Sequence, residues 1–312
     1  MTVTVFIDGE AGTTGLQIVQ RLAARKDVHL MHLNVAERKD PQRRAAMLNE
    51  ADLSILCLPD DAARESVAMI ESPWARVIDA STAHRTAPGW VYGFPEYDAG
   101  QPAKIKASKR VANTGCYAVS MVSLVWPLVK GGLLPADYPV TVNAVSGYSG
   151  GGKSLISAFE DPKSNNAADN NFYLYGLGLE HKHIKEMQVY GGLTQRPLFV
   201  PSVGRFAQGM IVSLPLQLWS LPGVLKPSQL HACLADHYAG AGSRVTVADL
   251  AESDRLVGHL DAEALAGADG MTLYVFGNEN REQAVLCAVL DNLGKGASGQ
   301  AVQLMDLMLG MG

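Results

Sequence analysis

The chain has 312 residues, 47% of them hydrophobic and 18% charged, with a formal net charge of -5. This is ordinary globular composition, long enough for about two domains. The acidic balance excludes the basic footprint of a nucleic-acid binder, and the longest apolar run, residues 117–129, is too short to span a bilayer and contains Pro127.

The four cysteines, Cys57, Cys116, Cys233 and Cys287, show no C-x-x-C pair and no metal-ligand spacing. A disulfide framework does not fit, and no metal site is expected. The first residues enter a strand-like segment at once, without the charged and apolar regions of a secretory signal. These features point to a cytoplasmic protein.

In chain order, residues 2–7 read as a strand and 16–25 as a helix. A strand over 28–35 and a helix over 42–51 follow, then a strand over 53–58, a helix over 60–71, and strands over 76–80 and 110–113. Strands alternating with helices predict a parallel sheet with helices on both faces. Near Tyr117 the pattern changes. An apolar helix runs to Pro127 and the Gly131-Gly132 break, and longer alternating strands are expected over 140–146, 197–218, 244–250 and 271–291. That predicts an α+β domain with a mostly antiparallel sheet, with a hairpin turn at Gly277 to Asn280. The polar, Asn-rich stretch 161–172 reads as a mobile loop. Residues 299–309 have helical spacing and are expected to dock back on the first domain. The fold class is therefore α/β: a Rossmann-type domain over 1–115 plus 292–312, and a substrate and dimerisation domain over 116–291.

The first strand runs into Asp8-Gly9-Glu10-Ala11-Gly12-Thr13-Thr14-Gly15 and then a helix. The spacing Gly-x-x-Gly-x-x-Gly is one position off the usual dinucleotide fingerprint, with the same physics. Glycines let the backbone turn tightly against a pyrophosphate, and the helix N-terminus supplies free N–H donors. Gly9, Gly12, Thr13, Thr14 and Gly15 are thus candidate cofactor-binding residues. An NAD site usually carries an acid at the end of the second strand. Here the region reads Asn34-Val35-Ala36-Glu37-Arg38-Lys39. Glu37 comes close, but Arg38 and Lys39 suit the 2′-phosphate of NADP(H).

Cys57 and Cys287 sit in apolar strand patterns and read as core. Cys116 follows Asn113-Thr114-Gly115 and opens a helix, where free N–H groups and the dipole stabilise a thiolate. Beside a nicotinamide, a thiolate can take an activated acyl group as a thioester, which hydride reduces to an aldehyde. The acid/base group this needs is available in Glu180-His181-Lys182-His183-Ile184-Lys185-Glu186. If the segment is helical, His181 and His183 point to different faces, while His183 and Glu186 share one. That favours His183, oriented by Glu186.

A rival reading comes from residues 147–154, Gly-Tyr-Ser-Gly-Gly-Gly-Lys-Ser, which match the P-loop pattern. Taken literally they make a nucleotide phosphotransferase, with Asp249 on the magnesium side. That reading leaves Cys116 and His183 without a role. The alternative is a substrate-side loop whose backbone N–H groups, with Ser149 and Lys153, hold an anionic substrate.

Several motifs in order carry a family resemblance over nearly the whole chain. They are the Gly9 loop, Cys57-Leu58-Pro59-Asp60-Asp61-Ala62, Asp79-Ala80-Ser81-Thr82-Ala83-His84-Arg85, Tyr92-Gly93-Phe94-Pro95-Glu96, Gly115-Cys116-Tyr117, the Gly147 loop, His181-Lys182-His183, and residues 291–303. Together they resemble the short form of the N-acetyl-gamma-glutamyl-phosphate reductases. The resemblance implies NADPH-dependent reduction of N-acetyl-glutamyl 5-phosphate to the 5-semialdehyde in arginine biosynthesis, with Cys116 as nucleophile and a histidine of the pair as acid/base. It implies that Asn292, Gly294, Ser81 and Gly150 lie at the cofactor and Arg85 near the substrate phosphate. A homo-oligomer, dimer or tetramer, is the family expectation. The chain departs from the family pattern at Thr114 and Lys185, where proline is expected.

Overall fold

A computed structural model of the chain describes residues 2–240 and 242–311. It divides into two compact units. The first comprises residues 1–95, 100–115 and 297–312, and the second residues 96–99 and 116–296. Residues 292–296, assigned to the first domain from the sequence, thus fall in the second unit.

In the first unit, strand β1 (Val3–Asp8) leads through the glycine loop to α1 (Thr13–Leu22). Next come β2 (Val28–Met31), α2 (Pro41–Glu50), β3 (Leu53–Leu56), α3 (Asp60–Ala68), β4 (Arg76–Asp79), β5 (Val91–Gly93), α4 (Gln101–Ala107) and β6 (Arg110–Asn113). The six strands form one sheet in the order β2-β1-β3-β4-β6-β5, with every neighbouring pair parallel. Both faces are covered, as the alternation along β1 requires. Val5 and Ile7 pack with Ile18, Leu53, Ile55 and Ile78 on one side, and Phe6 packs with Leu48, Leu56 and Val77 on the other. The last helix, α10 (Gly299–Leu309), belongs to the first of these cores through Leu304, Met305 and Met308. The short strand β5 and helix α4 were not legible in the sequence, and β2 ends four residues before the expected limit.

The second unit opens with α5 (Cys116–Lys130), whose residues are buried nearly all round, so it is a core helix. It continues with β7 (Thr141–Gly147), α6 (Gly152–Glu160), β8 (Phe172–Leu174), α7 (Ile184–Tyr190), β9 (Leu198–Gly204), β10 (Met210–Gln217), α8 (Pro227–Tyr238), β11 (Val245–Val247), α9 (Leu250–Arg255), β12 (Met271–Asn278) and β13 (Gln283–Leu290). The sheet order is β11-β12-β13-β10-β7-β9-β8. It is mostly antiparallel, with parallel pairing at β11–β12 and β7–β9. The expected strand over 197–218 is two strands, β9 and β10. The β12–β13 hairpin turns at Glu279–Arg281 rather than at Gly277, because Gly277 and Asn278 still pair with Ala284 and Gln283. The stretch expected to be a mobile loop is tied down. Arg205 donates to the Ala168 and Asn170 carbonyls, and its own N–H reaches Asn171.

Candidate active site

Within the first unit, the glycine loop leaves the carboxyl end of β1, which stands between β2 and β3. This is the switch point where doubly wound sheets bind ligands. Gly9 has φ +91°, and a β-carbon there would strike the Cys57 carbonyl. A β-carbon on Gly15 would lie 2.5 Å from the Gly9 oxygen, so the loop folds onto itself as a pyrophosphate cradle demands. At the start of α1, Gly12 offers no side-chain cap, and the buried Thr13 Oγ1 has no hydrogen-bond partner among the described residues. An uncapped helix N-terminus with an orphaned hydroxyl fits a dinucleotide phosphate. The adjoining cleft, about 470 Å³, is lined by Gly9, Glu10, Arg38, Lys39 and Arg44 among others. Arg38 pairs with Glu10 at 2.7 Å, and Glu10 also holds His32. Glu37, the nearest candidate acid, is paired with Arg43.

The loop after β4 is organised by Asp79, which is wholly buried. It accepts from the Ser81 N–H and Oγ at 2.9 and 2.8 Å and faces His84 Nδ1 at 2.6 Å. His84 stacks on Trp90. Ser81 is therefore committed to the loop, its oxygen also accepting from the Ala83 N–H. Arg85, expected near the substrate phosphate, is buried and donates to the backbone carbonyls of Asn113 and Ala80, so it clamps the ends of β6 and β4.

In the second unit, Cys116 is the first residue of α5, and its carbonyl accepts from Ser120 Oγ. The next residue, Tyr117, stands edge-on to His181, His183 and Phe199, with centroids 5.8, 5.8 and 5.1 Å away. His181 and His183 are themselves 4.8 Å apart. The expectation of two different faces fails because the helix starts only at Ile184. His183 is its N-cap and His181 lies before it, so neither obeys helical spacing. His183 and Glu186 are both buried at the start of α7.

A proton-ordered chain runs through this cluster. The His183 backbone N–H donates to His181 Nδ1 at 3.2 Å, which makes Nδ1 an acceptor and leaves the ring proton on Nε2. That nitrogen lies 3.5 Å from the Tyr175 hydroxyl, which donates to Tyr117 Oη at 3.2 Å. Tyr117 in turn donates to the Ser202 carbonyl at 3.2 Å. Burial, and the charge of Cys116, push the Tyr175 phenol up to about 12, against its hydrogen bond to Tyr117. Tyr175 carried no signal in the sequence. It follows a short edge strand, and only the fold brings it to the histidines.

The Gly147 loop is not a P-loop. The N–H groups of Gly147, Tyr148 and Ser149 are spent on the carbonyls of Gly209, Phe206 and Ala207, so these three do not cradle a phosphate as those of a P-loop would. Lys153 is exposed. Ser149 is buried, and its Oγ accepts from Asn292 Nδ2 at 2.9 Å, while Asn292 Oδ1 accepts from the Gly209 N–H. Gly150 lies over the same asparagine, and Gly294 backs onto Ala268. Gly150 and Asn292, expected at the cofactor, thus pack together beside Ser149, and Gly294, expected there too, lies two residues after Asn292. Among the described residues, no group of three or more His, Cys, Asp or Glu could hold a metal ion, and no helix is long and apolar enough to cross a membrane.

Residues 4–107 match the family described as semialdehyde dehydrogenase, NAD binding domain, and residues 116–292 match semialdehyde dehydrogenase, dimerisation domain. N-acetyl-gamma-glutamyl-phosphate reductase of Chelativorans sp. is 54% identical over 310 residues, 99% of each chain. The Pseudomonas putida protein named N-acetyl-gamma-glutamyl-phosphate reductase 2 is 53% identical over 309 residues, 99% of this chain and 97% of its own. The chain belongs to the N-acetyl-gamma-glutamyl-phosphate reductase family. It is an NADP-dependent acyl-phosphate reductase, and the phosphotransferase alternative has no support. Solved aspartate semialdehyde dehydrogenases share the fold. That of Francisella tularensis superposes with TM-score 0.71 at 12% identity, covering 99% of this chain and 100% of its own. One from Vibrio cholerae gives 0.69 at 15%, covering 99% and 98%.

Proposed function

We propose that Cys116 is the nucleophile in the reduction of N-acetyl-L-glutamyl 5-phosphate to the 5-semialdehyde. The observation that carries this reading is the position of Cys116 at the start of α5, next to Tyr117 of the imidazole and phenol cluster. The Cys116 thiolate attacks the acyl carbon, the C–O bond to phosphate breaks, and a thioester forms. NADPH, when bound, supplies the hydride that reduces this thioester. As the tetrahedral carbon collapses, the C–S bond breaks and Cys116 leaves as thiolate, releasing the aldehyde.

The chain's own groups manage the protons. His181, with its proton on Nε2, suits a donor to an oxyanion, and Tyr175 keeps that tautomer in place. His183 and Glu186 are the second acid/base candidate, buried at the N-terminus of α7. Gly9, Gly12, Thr13, Thr14 and Gly15 hold the cofactor pyrophosphate, and Arg38 and Lys39 select the 2′-phosphate. Ser149 and Lys153 remain the substrate-side candidates. The protein acts in the cytoplasm as a homo-oligomer, a dimer or tetramer, through the second unit.

The test runs the reaction in reverse, with N-acetyl-L-glutamate 5-semialdehyde, phosphate and NADP, following NADPH absorbance. Phosphate-dependent turnover, lost in Cys116→Ser, is the expected result. Equal turnover in the Ser variant would remove the thioester from the mechanism.

A further inference from the structure

One charge pair in the second unit has no part in these steps. Lys295 is completely buried, with Nζ 2.8 Å from Glu96 Oε2. The other Glu96 oxygen accepts from the Arg244 backbone N–H at 3.0 Å. Burial pushes the Lys295 ammonium down to about 8, while Glu96 and Asp269 pull it up and Arg244 adds to the fall. Hydrophobic replacements of a buried pair often serve stability equally well, so stability alone does not account for it.

Its place in the chain does. Lys295 precedes Gly296, where a β-carbon would lie 2.7 Å from Cys116 Cβ and 3.4 Å from Cys116 Cα. Both residues ride on a π turn, Gly294–Ser298, a geometry that recurs at functional sites. The other flank of this turn is fixed by Asp291. Its carbonyl accepts from the Gly296 N–H, and its carboxylate accepts from Leu293 and Gly267 N–H groups. The Lys295 flank is fixed through its side chain to Glu96. Glu96 itself lies in a four-residue excursion, residues 96–99, that joins the second unit between two stretches of the first. We infer that Glu96 and Lys295 are positioning residues: their pair holds Gly296 against Cys116 and so sets the place from which the thiol attacks. The inference rests on Cys116 as the nucleophile.

The test compares the parent with Lys295→Met, Glu96→Gln and the double variant. It reads thermal midpoint, kcat and KM in the reverse reaction, and the rate of iodoacetamide modification at Cys116 by peptide mass spectrometry. Lys295→Met leaves a buried carboxylate without its counter-charge, so its midpoint falls. The double variant removes both charges, and its midpoint returns towards the parent. Its kcat is expected to stay down about tenfold or more with KM within about twofold, because a small misplacement of a reacting group is costly, and its Cys116 modification rate shifts by about threefold or more on the same ground. Recovery of kcat together with the midpoint in the double variant, or an unchanged modification rate in every variant, would overturn the proposal. The double variant carries the test if Lys295→Met does not fold. A parent without reductase activity refutes the proposed function, and the modification rates still decide the positioning.

Discussion

Gly296 stands so close to Cys116 that a β-carbon added to the glycine would lie 2.7 Å from the cysteine Cβ. No side chain can occupy that position unless the Cys116 backbone or the π turn moves.

Gly296→Ala is therefore expected to lower kcat by about 100-fold, since displacements near 1 Å can cost that much. Overpacking should also destabilise the protein by about 1–3 kcal/mol. Gly258→Ala is the control, because a β-carbon there meets nothing within 4 Å. Steady-state kinetics and thermal melts of the two variants check this. Parent-like kcat in Gly296→Ala would mean that the turn yields freely.

Arg38 and Lys39 line the cleft beside the glycine loop, and a cation paired with phosphate contributes about 1.5–3 kcal/mol. The double change Arg38→Ala/Lys39→Ala should raise KM for NADPH by about tenfold or more on that basis, with KM for NADH nearly unchanged. Because Arg38 is already held by Glu10 at 2.7 Å, Glu10→Gln should lower KM for NADPH. Equal losses with both cofactors would show that the pair does not read the 2′-phosphate.

Burial pushes the Cys57 and Cys287 thiols up to about 12 from an ordinary 9.0. In the unfolded chain these groups lose their protons near 9, and in the folded protein they keep them to about 12. Their contribution to stability is thus complete below pH 9 and lost as pH rises from 9 to 12. Thermal midpoints should fall across that window, and more shallowly in Cys57→Ala/Cys287→Ala. At pH 8 iodoacetamide should spare both residues in the native protein. Fast modification at that pH would contradict the burial of Cys287 or the raised pKa of the half-buried Cys57.

The parallel-sheet unit was legible because its signals are local. Apolar strands of four to six residues, spaced helices and the Gly9 loop each declare themselves within ten residues, and β6 begins and ends where the pattern predicts. The place of Cys116 at the start of α5 was legible for the same reason, since the Asn113-Thr114-Gly115 approach and the apolar helix after it are contiguous. The motif-like Gly147 loop misled because a pattern records residue types and not where the N–H groups point. Those of Gly147, Tyr148 and Ser149 point at residues 206–209, some 60 positions away.

By itself the sequence determined the two sheets, the glycine loop after β1, the cysteine that opens α5 and the presence of two imidazoles near a carboxylate, because each rests on short-range periodicity or a short motif. Only the tertiary structure decided how those groups are used. It placed Tyr175 between Tyr117 and His181, turned Arg85 and Ser81 inward, and joined Glu96 to Lys295 across 199 positions. Such pairings follow from which side chains can satisfy buried polar atoms once the chain is packed, and no local pattern encodes that.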